Sequence, residues 1–147
     1  MPSVSSKIHG SCHCANVGFE LTWPNDATIR ARRCGCTFCL KHGGVWTSNP
    51  SGALSVRIAR PEQVSRYVFG TGTAEFLVCV RCGAVPLVTS RIGGRTYAVV
   101  NVNTFDAVDA ARIEIAPASF DGEEVGDRLA RRQRNWIPDV VVEEGNP

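Results

Sequence analysis

No apolar run in this sequence approaches the roughly 18 to 20 residues that a membrane-spanning helix requires. The opening stretch MPSVSSKIHGSCHC also lacks the apolar segment of about 7 to 15 residues that marks a secretory signal, which predicts a cytoplasmic chain. Strong charge of one sign is missing too. Sixteen Lys and Arg stand against fourteen Asp and Glu, a formal balance of +2, too small for a nucleic-acid footprint. Large side chains are few, with two Tyr, three Trp and six Phe, so a core built from these residues needs help. There is no low-complexity tract, no linker and no internal repeat beyond recurring cysteine pairs. With 147 residues, 44% of them hydrophobic, the chain has room for one core and too little for two, which predicts a single domain over residues 1–147.

What the chain does have is seven cysteines, and none is scattered. They fall into Cys12/Cys14, Cys34/Cys36/Cys39 and Cys79/Cys82. An odd number rules out complete disulfide pairing, and a reducing cytoplasm would oppose pairing in any case. Isolated buried thiols pack like small hydrophobes and would not gather in this way. Clusters of this spacing point to zinc, which takes four ligands in a tetrahedron, commonly thiolates. Thiolates on two zinc ions would also replace the formal +2 by a slight negative balance. Arg30, Arg32, Arg33 and Lys41 beside the middle cluster then read as local compensation, although each could equally be an ordinary solvated charge.

The spacings constrain how the ligands group. CVRCG (Cys79, Cys82, Gly83) is a C-x-x-C knuckle whose glycine suits the turn. A C-x-C pair needs a kinked backbone to aim both sulfurs the same way. Cys12 and Cys14 can complete a four-thiolate site with that knuckle, which would close a long loop and constrain the unfolded chain. They could instead share an ion with part of the middle cluster; spacing leaves both open. Cys34, Cys36 and Cys39, in RRCGCTFCLKHGG, can face one ion, and three protein ligands with a fourth place free is the pattern of catalytic zinc. His42, three residues after Cys39, could close that place but reads better as a neighbour or substrate contact. His13 is expected to point away from the metal, and His9 to be incidental.

Around these clusters the chain reads as mainly β. VGFELTW (Val17–Trp23) alternates and ends at a turn over Pro24, Asn25 and Asp26; TIRAR and ALSVRIA alternate as well. SRYVF and AEFLVCV form a hairpin across GTGT, and AVPLVTS and RTYAVVNV another across Ile92-Gly93-Gly94. TFCLKHG makes one helical turn, and DRLARRQRNW (Asp127–Trp136) a helix that stops near Pro138. The final VVVEEGNP reads as an edge strand or a loose tail.

Taken in order, GSCHCANVGFEL, RRCGCTFCLKHGG and EFLVCVRCGAVPLV resemble the glutathione-dependent formaldehyde-activating enzyme family, which includes centromere protein V-like proteins. The likeness covers about residues 8–105, and leaves a basic C-terminal arm at about 121–147. It implies twisted β-sheets around zinc, a β-tent. It implies two zinc ions: a structural one on Cys12, Cys14, Cys79 and Cys82, and a catalytic one on Cys34, Cys36 and Cys39, with substrate or water in the fourth place. It implies the joining of formaldehyde and glutathione into S-hydroxymethylglutathione, a carbon–sulfur lyase activity in reverse. The sequence departs from the family at Gly35, where many relatives carry His, and at Ala15, where they usually carry Gly. On the arm, Arg131, Arg132, Arg134 and Trp136 could cover the mouth of the site and grip a carboxylate; a surface helix anchored by Trp136 is the simpler expectation.

Two other functions are weighed. A non-catalytic zinc-stabilised module could dock protein or nucleic acid through Arg128 to Arg134, but acidic Asp121, Glu123, Glu124 and Asp127 precede them and no aromatics interleave for base stacking. A cysteine redox enzyme needs a thiol outside the clusters, and there is none.

Overall fold

A computed structural model describes residues 5–24 and 28–145. It contains a four-stranded sheet and a seven-stranded sheet with two short helices. The smaller sheet runs β1 (Ser5–Ser11), β2 (Val17–Pro24), β5 (Ala53–Ile58) and β11 (Asp139–Glu144). The larger runs β10 (Ile113–Ala118), β3 (Ile29–Cys34), β4 (Val45–Thr47), β9 (Arg95–Asn101), β8 (Leu87–Ile92), β7 (Glu75–Cys79) and β6 (Val64–Tyr67). Pairings are antiparallel except at two edges, where β11 runs parallel to β5 and β10 parallel to β3. Among the described residues no helix is long and apolar enough to cross a membrane.

The strands follow from pattern. β2 alternates buried and half-buried positions along its length, and Val17, Phe19, Leu21 and Trp23 supply its inner face. The hairpin between β8 and β9 turns on Gly93 and Gly94, both at positive φ (59° and 80°), the conformation a two-residue turn demands. The turn expected after Pro24 falls on residues 25–27, outside the described residues, as do the last two residues of the C-terminal segment.

β9 organises the molecule. Its central run is buried on both faces, as a strand covered from two sides must be. Ala98 and Val100 pack into a core with Ile8, Leu21, Leu54 and Leu77, shared between the two sheets. Tyr97 and Val99 point the other way, into a second cluster with Trp46, Val88 and Trp136. That second cover includes the basic C-terminal segment. α2 (Val125–Asn135) ends at Trp136, Ile137 bridges back to Ala98, and the chain then enters β11. The final segment is therefore a paired strand, which settles the choice left open between strand and tail.

Candidate metal centres

Cys12 and Cys14 lie in the turn after β1. Ala15 N–H donates to the Cys12 carbonyl (3.0 Å), and Val17 N–H to Cys12 Sγ (3.3 Å). Ala15 itself sits at φ 66°, the left-handed conformation that gives the C-x-C pair its kink. Cys79 ends β7, and the return to Cys82 turns through Gly83 (φ 80°), whose N–H donates to the Cys79 carbonyl (2.7 Å). These two turns meet. The four sulfurs lie within 4.8 Å of one another, with Cys12–Cys14 at 3.8 Å and Cys14–Cys79 at 3.5 Å. Four thiolates about 2.3 Å from a tetrahedral zinc stand about 3.8 Å apart, so the donor set fits that ion. Burial pushes the Cys12 thiol up to about 12; at Cys82 burial is outweighed by the N–H groups of Ala84 and Cys14, and the thiol falls to about 6. A metal here must displace the protons that burial holds on Cys12 and Cys79.

The middle cluster forms at the end of β3. Cys34 closes that strand, Cys36 caps α1 (Thr37–His42), and Cys39 lies within it. Cys39 N–H donates to Cys36 Sγ (3.3 Å), so one ligand candidate serves as the helix cap. Gly43, at φ 75°, ends the helix. All three sulfurs lie within 4.8 Å of one another, and no other His, Cys, Asp or Glu among the described residues joins the group. The trio fits three corners of a zinc tetrahedron. Hydrogen bonding from Cys39 brings the Cys34 thiol down to about 5, while the same bond and burial push Cys39 up. Trp46 is the residue sequence reasoning missed: its indole N–H donates to Cys39 Sγ (3.4 Å). Only the chain reversal after Gly43 brings it there.

The histidines stay apart from both groups. His42 packs its ring against Phe38, with centroids 4.4 Å apart and planes tilted by 47°, and has its Nε2 buried without a partner. Its burial lowers its pKa. His13 is exposed, and His9 pairs with Glu20 at 3.1 Å. All seven cysteines are free of disulfides.

The three-thiol group faces a cavity of about 260 Å³. Trp46, Phe69, Phe76 and Trp136 make apolar walls. The C-terminal helix makes the opposite side with Arg128, Arg131 and Arg132, while Arg134 stays exposed. Trp136 is thus both a packed anchor and part of the lining. Arg131 grips Glu123 through Nε (3.0 Å) and Nη2 (3.1 Å), and its guanidinium lies 3.7 Å over the Phe120 ring. Of the cations flanking the cysteines in sequence, Arg32 alone lines the cavity; Arg30, Arg33 and Lys41 are exposed.

Comparison with known proteins places this arrangement. The family described as glutathione-dependent formaldehyde-activating enzyme matches residues 7–119, beyond the stretch whose motifs carry the likeness in sequence. A crystal structure of a Rhodobacter sphaeroides protein is similar, at 26% identity over 74% of this chain and 99% of that one, with a TM-score of 0.50. No curated protein matches the chain.

Proposed function

The chain belongs to the glutathione-dependent formaldehyde-activating enzyme family, and on that premise we propose that it is a zinc-dependent enzyme of carbon–sulfur lyase type. In the synthetic direction a thiol adds to formaldehyde: a carbon–sulfur bond forms, the carbonyl becomes a hydroxyl, and the thiol proton is passed to that oxygen. S-hydroxymethylglutathione, from glutathione and formaldehyde, is the adduct the family points to.

The observation that carries the reading is a three-thiol group that opens onto a cavity and, among the described residues, has no fourth His, Cys, Asp or Glu side chain to close it. Cys34, Cys36 and Cys39 would hold the catalytic zinc, and Cys12, Cys14, Cys79 and Cys82 the structural one. Zinc bound by the trio supplies a means of keeping an incoming thiol as its thiolate, the form that attacks an aldehyde carbon. The chain's own groups prepare the place. The Trp46 N–H directs positive charge at Cys39 Sγ, which fixes that sulfur and draws off part of its negative charge. Trp46, Phe69, Phe76 and Trp136 keep bulk water from the reacting sulfur. In this reading the whole chain works as one unit in the cytoplasm; the pairing of β11 with β5 and the bridge from Ile137 to Ala98, which tie the C-terminal segment to the matched region, support its being one unit.

The binding-module alternative loses its main support, since Arg128, Arg131 and Arg132 line the cavity instead of presenting an outward basic face. Metal analysis and an adduct assay of Cys36→Ser test the proposal. Serine can still cap α1, so the fold should stand while one of two zinc ions and adduct formation are lost. A variant that keeps both ions and the full rate would sink it.

A further inference from the structure

Arg132 is 6% exposed, and its hydrogen bonds go to neutral oxygens. Nη1 donates to the Thr73 carbonyl (3.2 Å), to Thr73 Oγ1 (2.8 Å) and to Ser90 Oγ (3.1 Å). Its guanidinium lies 4.9 Å from the centre of the Trp136 ring, and its Nε is sealed without a partner. Ser90 Oγ donates in turn to the Thr73 carbonyl (2.7 Å). One side chain of α2 therefore joins β8, the loop between β6 and β7, and the end of its own helix. Burying a cation is costly unless its donors find acceptors. Charge-assisted hydrogen bonds are about twice as strong as neutral ones, so the joint is firm.

The loop it meets, residues 68–74, is mostly exposed, and Gly70 and Gly72 both take positive φ (63° and 72°) on either side of Thr71. Phe69, Gly70 and Thr71 nevertheless line the same cavity as Cys34, Cys36 and Cys39. Phe69 packs on Phe38 (5.3 Å between centroids), within the helical turn that carries Cys39, and on Phe76 (5.2 Å). Thr71 Oγ1 is 2.8 Å from Thr73 Oγ1, so the grip of Arg132 on Thr73 extends to the cavity lining. The structure assigns Arg132 as the positioning residue for this wall: it holds the loop so that Phe69 and Thr71 present a preformed surface to the thiol substrate. This rests on the thiol–aldehyde reading and adds to it the residue that sets how well the thiol is held. Arg132 belongs to a helix beyond the family-matched residues 7–119, whereas the loop lies within them.

Arg132→Met removes the donors and keeps an unbranched side chain against Trp136. Two measurements on the zinc-loaded full chain separate positioning from general support: amide hydrogen exchange, and adduct formation from glutathione and formaldehyde. Exchange across residues 68–74 should quicken by about 10-fold or more, while the turns around Cys12–Val17 and Cys79–Ala84 keep their rates. KM for glutathione should rise by about 10-fold with kcat held within about 2-fold, because a wall in place about a tenth of the time weakens binding by that factor and leaves the following step alone. Arg132→Lys, which keeps a charged donor, should recover part of both effects. Unchanged loop exchange, exchange that quickens evenly along the chain, or a loosened loop with KM unaltered would each overturn the inference. Should the natural chain form no adduct, the lyase reading falls and loop exchange alone decides the positioning role. If Arg132→Met does not fold, Thr73→Val, which removes the shortest of the three contacts and leaves Trp136 covered, is judged by the same outcomes.

Discussion

The two cysteine groups sit on opposite faces of the same seven-stranded sheet, and nearly everything about them differs. Cys12 and Cys79 are sealed in the core between the sheets, at 1% and 0% exposure. The two turns that carry this group are far apart in the chain, with Cys14 and Cys79 separated by 65 positions. The trio of Cys34, Cys36 and Cys39 comes from one strand end and one helical turn, and packs with Trp46 and Trp136 beside a cavity. Joined by one ion, four sulfurs from two distant places would tie the chain together. Three from one place tie nothing, and their surroundings are arranged for access. In the proposed reading one group is a clamp and the other a reaction centre, and loop length and burial, not sulfur chemistry, are what tell them apart.

The largest test of that contrast is Cys79→Ala. Opening a closure of this length should cost about 4 kcal/mol, lowering Tm by about 8–16 °C in a domain of this size. Calorimetry beside Cys36→Ser, where the loss should stay under about 1 kcal/mol, makes the comparison. Equal losses would erase the distinction between the groups.

Acid should separate them next. Protons compete with metal for thiolates, so affinity falls at both groups as pH falls. The trio has one sulfur fewer and an open approach, so it should release its ion at the higher pH. A chromophoric chelator followed during acidification should show two steps, the first absent in Cys36→Ser. One merged step would contradict the contrast.

Trp46→Phe probes a single hydrogen bond. Removing a donor that orients a ligand typically costs about 10–100-fold in metal affinity or activity. Metal competition titration should show that loss at the trio and none at the four-sulfur group.

Smallest is Ala15→Gly. Left-handed backbone costs an alanine about 1 kcal/mol, and the greater freedom of unfolded glycine returns part of it. A Tm gain of about 2 °C or less is expected, with activity unchanged; a fall in Tm would show that the Ala15 methyl group contributes packing.

Much of this was legible in the residues. The cysteine clusters are written in local spacing, and β2, β5 and the β8–β9 hairpin in alternation and paired glycines. β1 was not, because SSKIHGS offers one buried apolar side chain, Ile8, to a pattern search. β4 has three residues, too short to show a period. β10 pairs in parallel with a strand some 80 residues earlier and carries Pro117, tolerated there because it is an edge. The inward arginines of α2 were the hardest part. Any hydropathy pattern sends Arg to water, whereas Arg132 is buried, with Nη1 donating to Thr73 and Ser90 and its guanidinium 4.9 Å from the Trp136 ring.

The position of α2 separates two inheritances. The seven sulfurs lie within the portion common to the family, whereas the wall with Arg128, Arg131 and Arg132 comes afterwards. If the proposed reading holds, changes within the eleven residues of α2 would reshape that wall and leave the seven sulfurs where they are.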